Sequence, residues 1–163
     1  MNKALLMLAL CAATARAQQI QLGSDVLGQQ RATASQSHVE LLSEAVTIDA
    51  GKPQLVEFRF RVQPGFHINS HTPKDELLIP TVLRLDPGPF KVLSQLYPSG
   101  VPFKLPAGST VLDVYQNEFR VTLRGVAQRG QSMLTGSLRY QACDNAACYP
   151  PRTLQIQIAV TAK

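Results

Sequence analysis

The sequence predicts an all-β domain folded as an immunoglobulin-like antiparallel β-sandwich, and three observations carry that expectation. Apolar and polar residues alternate with period two, most clearly where Val56, Phe58, Phe60 and Val62 interleave with Glu57, Arg59 and Arg61. Short apolar runs are separated by turn-forming clusters such as Pro64-Gly65 and Asp86-Pro87-Gly88-Pro89. No stretch sustains a long helical period, and neither an internal repeat nor a second domain is visible.

Taken in order, residues 1–17 read as a secretory signal peptide. Lys3 is the charged start, residues 4–13 the apolar run, and Ala15-Arg16-Ala17 a small-x-small cleavage site. The run is too short to span a bilayer, and Leu10 before Cys11 argues against a lipoprotein site. Residues 18–37 are rich in Gln, Gly, Ser and Ala and are expected to form a flexible polar leader. The folded domain is expected over 38–163. Val39 and Leu41, then Val46 and Ile48, make a first broken strand that ends at Asp49-Ala50-Gly51-Lys52-Pro53. The alternating strand through Val62 follows, and then short strands at 81–85 and 90–96. Residues 97–108 carry three prolines and two glycines and are expected to be a long surface loop. Alternation resumes at 111–115, at Phe119, Val121 and Leu123, and at Leu138, Tyr140 and Ala142. Leu154, Ile156, Ile158 and Val160 close the chain.

Composition narrows the function. Cleavage after Ala17 would remove Lys3 and Arg16 and no acidic residue, taking the formal charge from +5 to +3. The mature chain is mildly basic, has no block of Lys or Arg and no Trp, and calls for neither nucleic acid nor a membrane surface as partner. Export would place it in an oxidising compartment, where paired cysteines form disulfides. Cys11 would leave with the signal peptide, so Cys143 and Cys148 remain.

Those two cysteines lie in Cys143-Asp144-Asn145-Ala146-Ala147-Cys148-Tyr149-Pro150-Pro151. Extended, the chain between them would span roughly 16 Å, whereas bonded cysteines have Cα atoms roughly 4.4–6.8 Å apart. A bridge therefore needs a tight reversal, and Asp144-Asn145 is suitable turn material. Tyr149 and Pro150 each precede a proline and are pushed toward extended conformations. In the chain-entropy account, a ring of about six residues stabilises a fold by about 2 kcal/mol, against about 4.7 for a hundred-residue loop. Such a bridge is a weak staple, better suited to storing and releasing two electrons. A local clamp that never opens is the structural alternative.

Tyr140-Gln141-Ala142-Cys143 and Cys148-Tyr149-Pro150-Pro151 resemble the N-terminal periplasmic domain of the DsbD thiol:disulfide interchange proteins. Pro64-Gly65-Phe66-His67-Ile68-Asn69 and Asp113-Val114-Tyr115 add to the likeness, which runs from about His38 to the end. The resemblance implies an immunoglobulin-like fold with a redox-active Cys143–Cys148 pair and no cofactor. It implies thiol:disulfide interchange of the protein-disulfide reductase type, dependent on an external electron donor. That donor would be a thioredoxin-like protein, with or without a separately encoded membrane partner, because the family's membrane and C-terminal thioredoxin-like domains are not in this sequence. Disulfide isomerases and cytochrome c maturation proteins of the periplasm would be the acceptors, and the domain is expected to be a monomer. The cysteines here stand one residue closer together than in the best-known members.

By the same resemblance Cys148 forms the mixed disulfide with the partner and Cys143 resolves it; the sequence itself does not distinguish them. Exchange needs access and a thiolate. Asp144, an adjacent negative charge, disfavours the thiolate and points to a thiol that stays quiet until a partner docks. Related domains shield their cysteines with a cap loop, which falls here on residues 101–108, with Phe103 as the expected cover and Leu105 second. Phe66, His67 and Asn69 match the strand that lines the cysteines, and Tyr149 is expected beside them. The rival constellation, His67 and His71 with both cysteines, has the ligand types of a zinc or copper site. It is disfavoured because His-x-x-x-His aligns best on a helix, and Pro64, Gly65 and Pro73 surround this stretch. A β-sandwich adaptor with an inert disulfide is the remaining alternative.

Overall fold

The computed structural model describes residues 37–105 and 110–163. The expected signal peptide, the polar leader apart from Ser37, and residues 106–109, which include the end of the expected cap loop, lie outside the described residues. The described chain contains strands and no helix: β1 (Val39–Leu41), β2 (Val46–Ile48), β3 (Pro53–Val62), β4 (His67–Asn69), β5 (Val82–Leu85), β6 (Phe90–Leu96), β7 (Val101–Lys104), β8 (Val111–Tyr115), β9 (Glu118–Ala127), β10 (Gly130–Tyr140), β11 (Ala142–Cys143) and β12 (Arg152–Ala162). The fold is all-β and immunoglobulin-like, as the alternation predicts.

Two four-stranded sheets make the sandwich, one in the order β1-β3-β9-β6 and the other β2-β12-β10-β5. On β3, Val56, Phe58, Phe60 and Val62 are buried while Glu57, Arg59 and Arg61 face solvent. They meet Leu134, Leu138 and Tyr140 of β10 and Ile156, Ile158 and Val160 of β12 in one apolar core. The period of two therefore decides which face of each sheet turns inward. The outer face of the first sheet is charged, with Arg59 and Arg61 bonded to Glu118 at 3.2 and 2.8 Å. At Gly125 an added Cβ would lie 2.5 Å from the Phe90 ring, so β9 needs a glycine where that ring crosses it.

Most pairings are antiparallel, but β2 pairs with β12 in parallel, Val46 opposite Val160. The broken first strand is broken because β1 joins one sheet and β2 the other.

A third small sheet, β11-β4-β8-β7, carries the cysteine segment. β11 continues β10, β4 follows β3 through one turn, and β8 runs into β9. The small sheet thus lies at the end of the sandwich where β3 and β10 finish and β9 and β12 begin. One edge of this sheet departs from the expectation of a loop. Residues 97–108 were expected to be loop, whereas Val101–Lys104 is a strand, paired from Val101↔Val114 to Lys104↔Val111. β7 is an edge strand, and Pro102 is tolerated there because a proline nitrogen can lie on the unpaired side.

Candidate functional site

The turn after β3 sets the site's first wall. Phe66 N–H donates to Gln63 O at 3.1 Å, with Pro64 and Gly65 between them and Gly65 at φ 85°. Proline at the second position and a positive-φ glycine at the third define a type II turn. That turn delivers Phe66 and then β4, where His67, Ile68 and Asn69 are all buried. β11 lies alongside, with Cys143 opposite His67 and Ala142 opposite Ile68.

Cys143 and Cys148 are joined by a disulfide of 2.04 Å, with Cα atoms 3.9 Å apart. They face each other as an isolated antiparallel pair. The flanking bonds are Tyr149 N–H to Ala142 O at 2.8 Å and Asp144 N–H to Ala147 O at 2.9 Å. This is the non-hydrogen-bonded type of pair, in which opposed residues come closest. The main chain itself therefore brings the two sulfurs together. Cys143 is 1% exposed, whereas Cys148 is exposed to solvent.

Asp144 holds the turn. One carboxylate oxygen accepts the N–H groups of Ala146 and Ala147 at 2.7 and 2.8 Å, and the other accepts the Tyr149 hydroxyl at 2.7 Å. The Tyr149 bond first, then the two amides, hold its carboxyl at about 2. The same bond pushes the Tyr149 hydroxyl up. A permanent negative charge thus sits next to Cys143 and disfavours a thiolate there when the bridge is open. The sequence shows that acid beside the cysteine; its three-bond hold on the turn is visible only in the fold.

His67 is 1% exposed, and its Nε2 is buried without a hydrogen-bond partner. Burial pushes its pKa down, and the Asp144 charge opposes that shift. Its ring lies 4.2 Å from the Phe103 ring, centroid to centroid. Phe103, expected to cover the cysteines, thus rests on the histidine opposite Cys143. Leu105 lines the cavity that holds Cys148, together with His67 and Leu112. Phe66 stacks on His38 at 4.0 Å and approaches Tyr149 at 5.9 Å.

Asn69 acts from below. Its Nδ2 donates to Ile79 O at 3.0 Å and to Gln141 Oε1 at 3.3 Å. Gln141 Nε2 in turn donates to Tyr149 O at 3.2 Å. Gln141 ties β4 to the segment leaving the second cysteine, a role the sequence reading did not give it. Its only signal was its position inside the Tyr140–Cys143 motif. His38, likewise unassigned, fixes the Phe66 ring.

The four residues of the rival metal constellation are not brought together. The cysteines are bonded to each other. His71 Nδ1 donates to Thr81 O at 2.9 Å, and its ring stacks on Tyr97 at 3.6 Å. Among the described residues, no group of three or more His, Cys, Asp or Glu side chains is placed to hold a metal ion. Nor, among them, is any helix long and apolar enough to cross a membrane.

An immunoglobulin-like sandwich with a disulfide in a tight turn, one sulfur buried and the other open, has the make-up of a thiol–disulfide exchange domain. Residues 38–159 match the family described as thiol:disulfide interchange protein DsbD, N-terminal, and the chain belongs to that family. Among solved structures, it is similar to the reduced DsbD N-terminal domain of Neisseria meningitidis, with 23% identity, 66% of this chain and 82% of that chain covered, and a TM-score of 0.45. A weaker likeness is to the ASH/PapD-like domain of human CEP192, with 12% identity, 77% and 85% covered, and a TM-score of 0.32. No curated protein matches the chain.

Proposed function

We propose that this domain relays electrons in the periplasm through reversible opening of the Cys143–Cys148 disulfide. It receives them from a thioredoxin-like donor, alone or with a separate membrane protein, and passes them to thiol proteins such as disulfide isomerases or cytochrome c maturation factors. The observation that carries this reading is the asymmetry of the bridge, with Cys143 buried at 1% and Cys148 exposed in the same turn. Thiol exchange proceeds by attack on a reachable sulfur, with the other sulfur leaving. Cys148 is therefore the sulfur a partner joins, and Cys143 is the resolving group. Phe103 and Leu105 serve as the cap, with Phe66, His67, Asn69 and Tyr149 lining the site. The exchange unit is residues 38–163, exported as a monomer by a signal peptide cleaved after Ala17 and preceded by the 18–37 leader.

Single-cysteine variants test this. Cys143→Ser, which keeps Cys148, is expected to accumulate a stable mixed disulfide with an oxidised thioredoxin-like protein, read by intact mass. Cys148→Ser is expected to react far more slowly. Equal trapping by both variants would overturn the assignment. A wild-type bridge that stays closed under excess dithiol in native buffer would leave an inert clamp.

A further inference from the structure

We infer that His67 is the proton acceptor for Cys143 in the resolving step of exchange, a role that rests on the relay reading above. Cys143 and His67 are directly opposed on neighbouring antiparallel strands. Directly opposed side chains project from the same face of a sheet, with Cβ atoms roughly 4.5–5.5 Å apart. The imidazole therefore stands beside the buried sulfur and also lines the cavity of the exposed one.

Its Nε2 is buried with no partner while the disulfide is closed. A buried polar atom left unpaired is costly, and such atoms in native folds call for an explanation. Opening the bridge supplies one: the Cys143 thiol becomes the hydrogen-bond partner that the closed state lacks. The surroundings suit a base. Phe103 covers the ring from β7, and Leu105 and Leu112 give an apolar side to a cavity that Asp144 and Asn145 also line. These apolar neighbours keep the resting imidazole neutral and able to accept a proton. The charged group acting on it is Asp144, from the turn after β11, whose carboxylate favours the imidazolium once formed. Tyr149 acts on that carboxylate by donating its hydroxyl to it at 2.7 Å.

The steps balance. Reduced Cys148 attacks the acceptor's disulfide as a thiolate, and one acceptor sulfur leaves with the electron pair and takes up a proton. The Cys143 thiol then gives its proton to His67 Nε2 and attacks Cys148 Sγ. The Cys143–Cys148 bond forms, and the bond from Cys148 to the acceptor breaks. The second acceptor sulfur leaves with that electron pair and receives the proton. Two electrons and two protons pass from the domain to the acceptor disulfide.

The test mixes the reduced full chain with 5,5′-dithiobis(2-nitrobenzoate) in a stopped-flow instrument. The first thionitrobenzoate released reports attack by Cys148, and the second reports resolution by Cys143. His67→Gln is expected to slow the second phase by on the order of a hundredfold near neutral pH, far more than it changes the first. The gap should narrow as pH rises, because hydroxide then takes the Cys143 proton without help from the imidazole. An unchanged second phase, or slowing that is the same at every pH, overturns the role. Should the variant not fold, wild-type protein carrying nitrogen-15 histidine gives the answer by NMR. His67 is expected to titrate as a single group when oxidised and as a coupled pair with a thiol when reduced. Identical titration in both states overturns the proposal. A wild-type bridge that dithiol cannot open overturns the relay reading and this role with it, with no substitution involved.

Discussion

Opening the disulfide is expected to cost little of the fold, and the magnitude follows from the site. The bridge closes a ring five residue steps long, for which the chain-entropy account gives about 2 kcal/mol. Several interactions hold the same reversal without the sulfurs. Tyr149 N–H and Asp144 N–H bond across the turn at 2.8 and 2.9 Å, and the Asp144 carboxylate accepts both turn amides. The core that joins the two large sheets, through Phe58, Phe60, Leu138 and Ile158, lies outside the ring. For a domain of this size, about 2 kcal/mol corresponds to a melting shift of roughly 6–10 °C. Urea unfolding of oxidised and fully reduced protein, followed by far-ultraviolet circular dichroism with thiols counted, measures it. The midpoint should fall with the slope unchanged. A loss above about 5 kcal/mol, or loss of cooperative unfolding on reduction, would show a structural staple and refute the reasoning.

Two further outcomes follow from the same geometry. The Asp144 carboxyl is held at about 2 against 3.8 for the free side chain, so its grip is complete above pH about 4 and lost as pH falls through about 2. Amide shifts of Ala146 and Ala147 should therefore hold steady down to pH about 3 and move only below it; a midpoint near 4 would contradict the three-bond arrangement. Phe103→Ala should speed alkylation of the buried Cys143 thiol several-fold, because the ring it removes packs on His67, directly opposite that cysteine. The stability change should stay under about 1.5 kcal/mol, because this ring is half-buried on an edge strand. An unchanged rate with a loss of about 3 kcal/mol or more would make Phe103 ordinary core packing.

The sequence by itself determined the layers of this protein. Alternation along Val56–Val62, Phe119–Leu123 and Leu154–Val160 is a local property, since neighbouring side chains on a strand must point to opposite faces. The same holds for the Pro64-Gly65 turn, whose chemistry lies wholly within four residues, and for the tight reversal between the cysteines. The tertiary structure decided what depends on partners distant in sequence. β7 was hidden because Pro98, Pro102 and Pro106 read as loop, and only its pairing with β8 makes residues 101–104 a strand. The early part of β10 was hidden too, because Gly130, Ser132, Gly136 and Ser137 carry little apolar signal and gain their strand from β12 and β5. The parallel docking of β2 on β12 joins chain segments more than a hundred residues apart. The site divides in the same way. Both cysteines and their acidic neighbour are plain in one short motif. The opposition of His67 to Cys143 and the tie from Asn69 through Gln141 to Tyr149 arise from register, which no single strand's residues can specify.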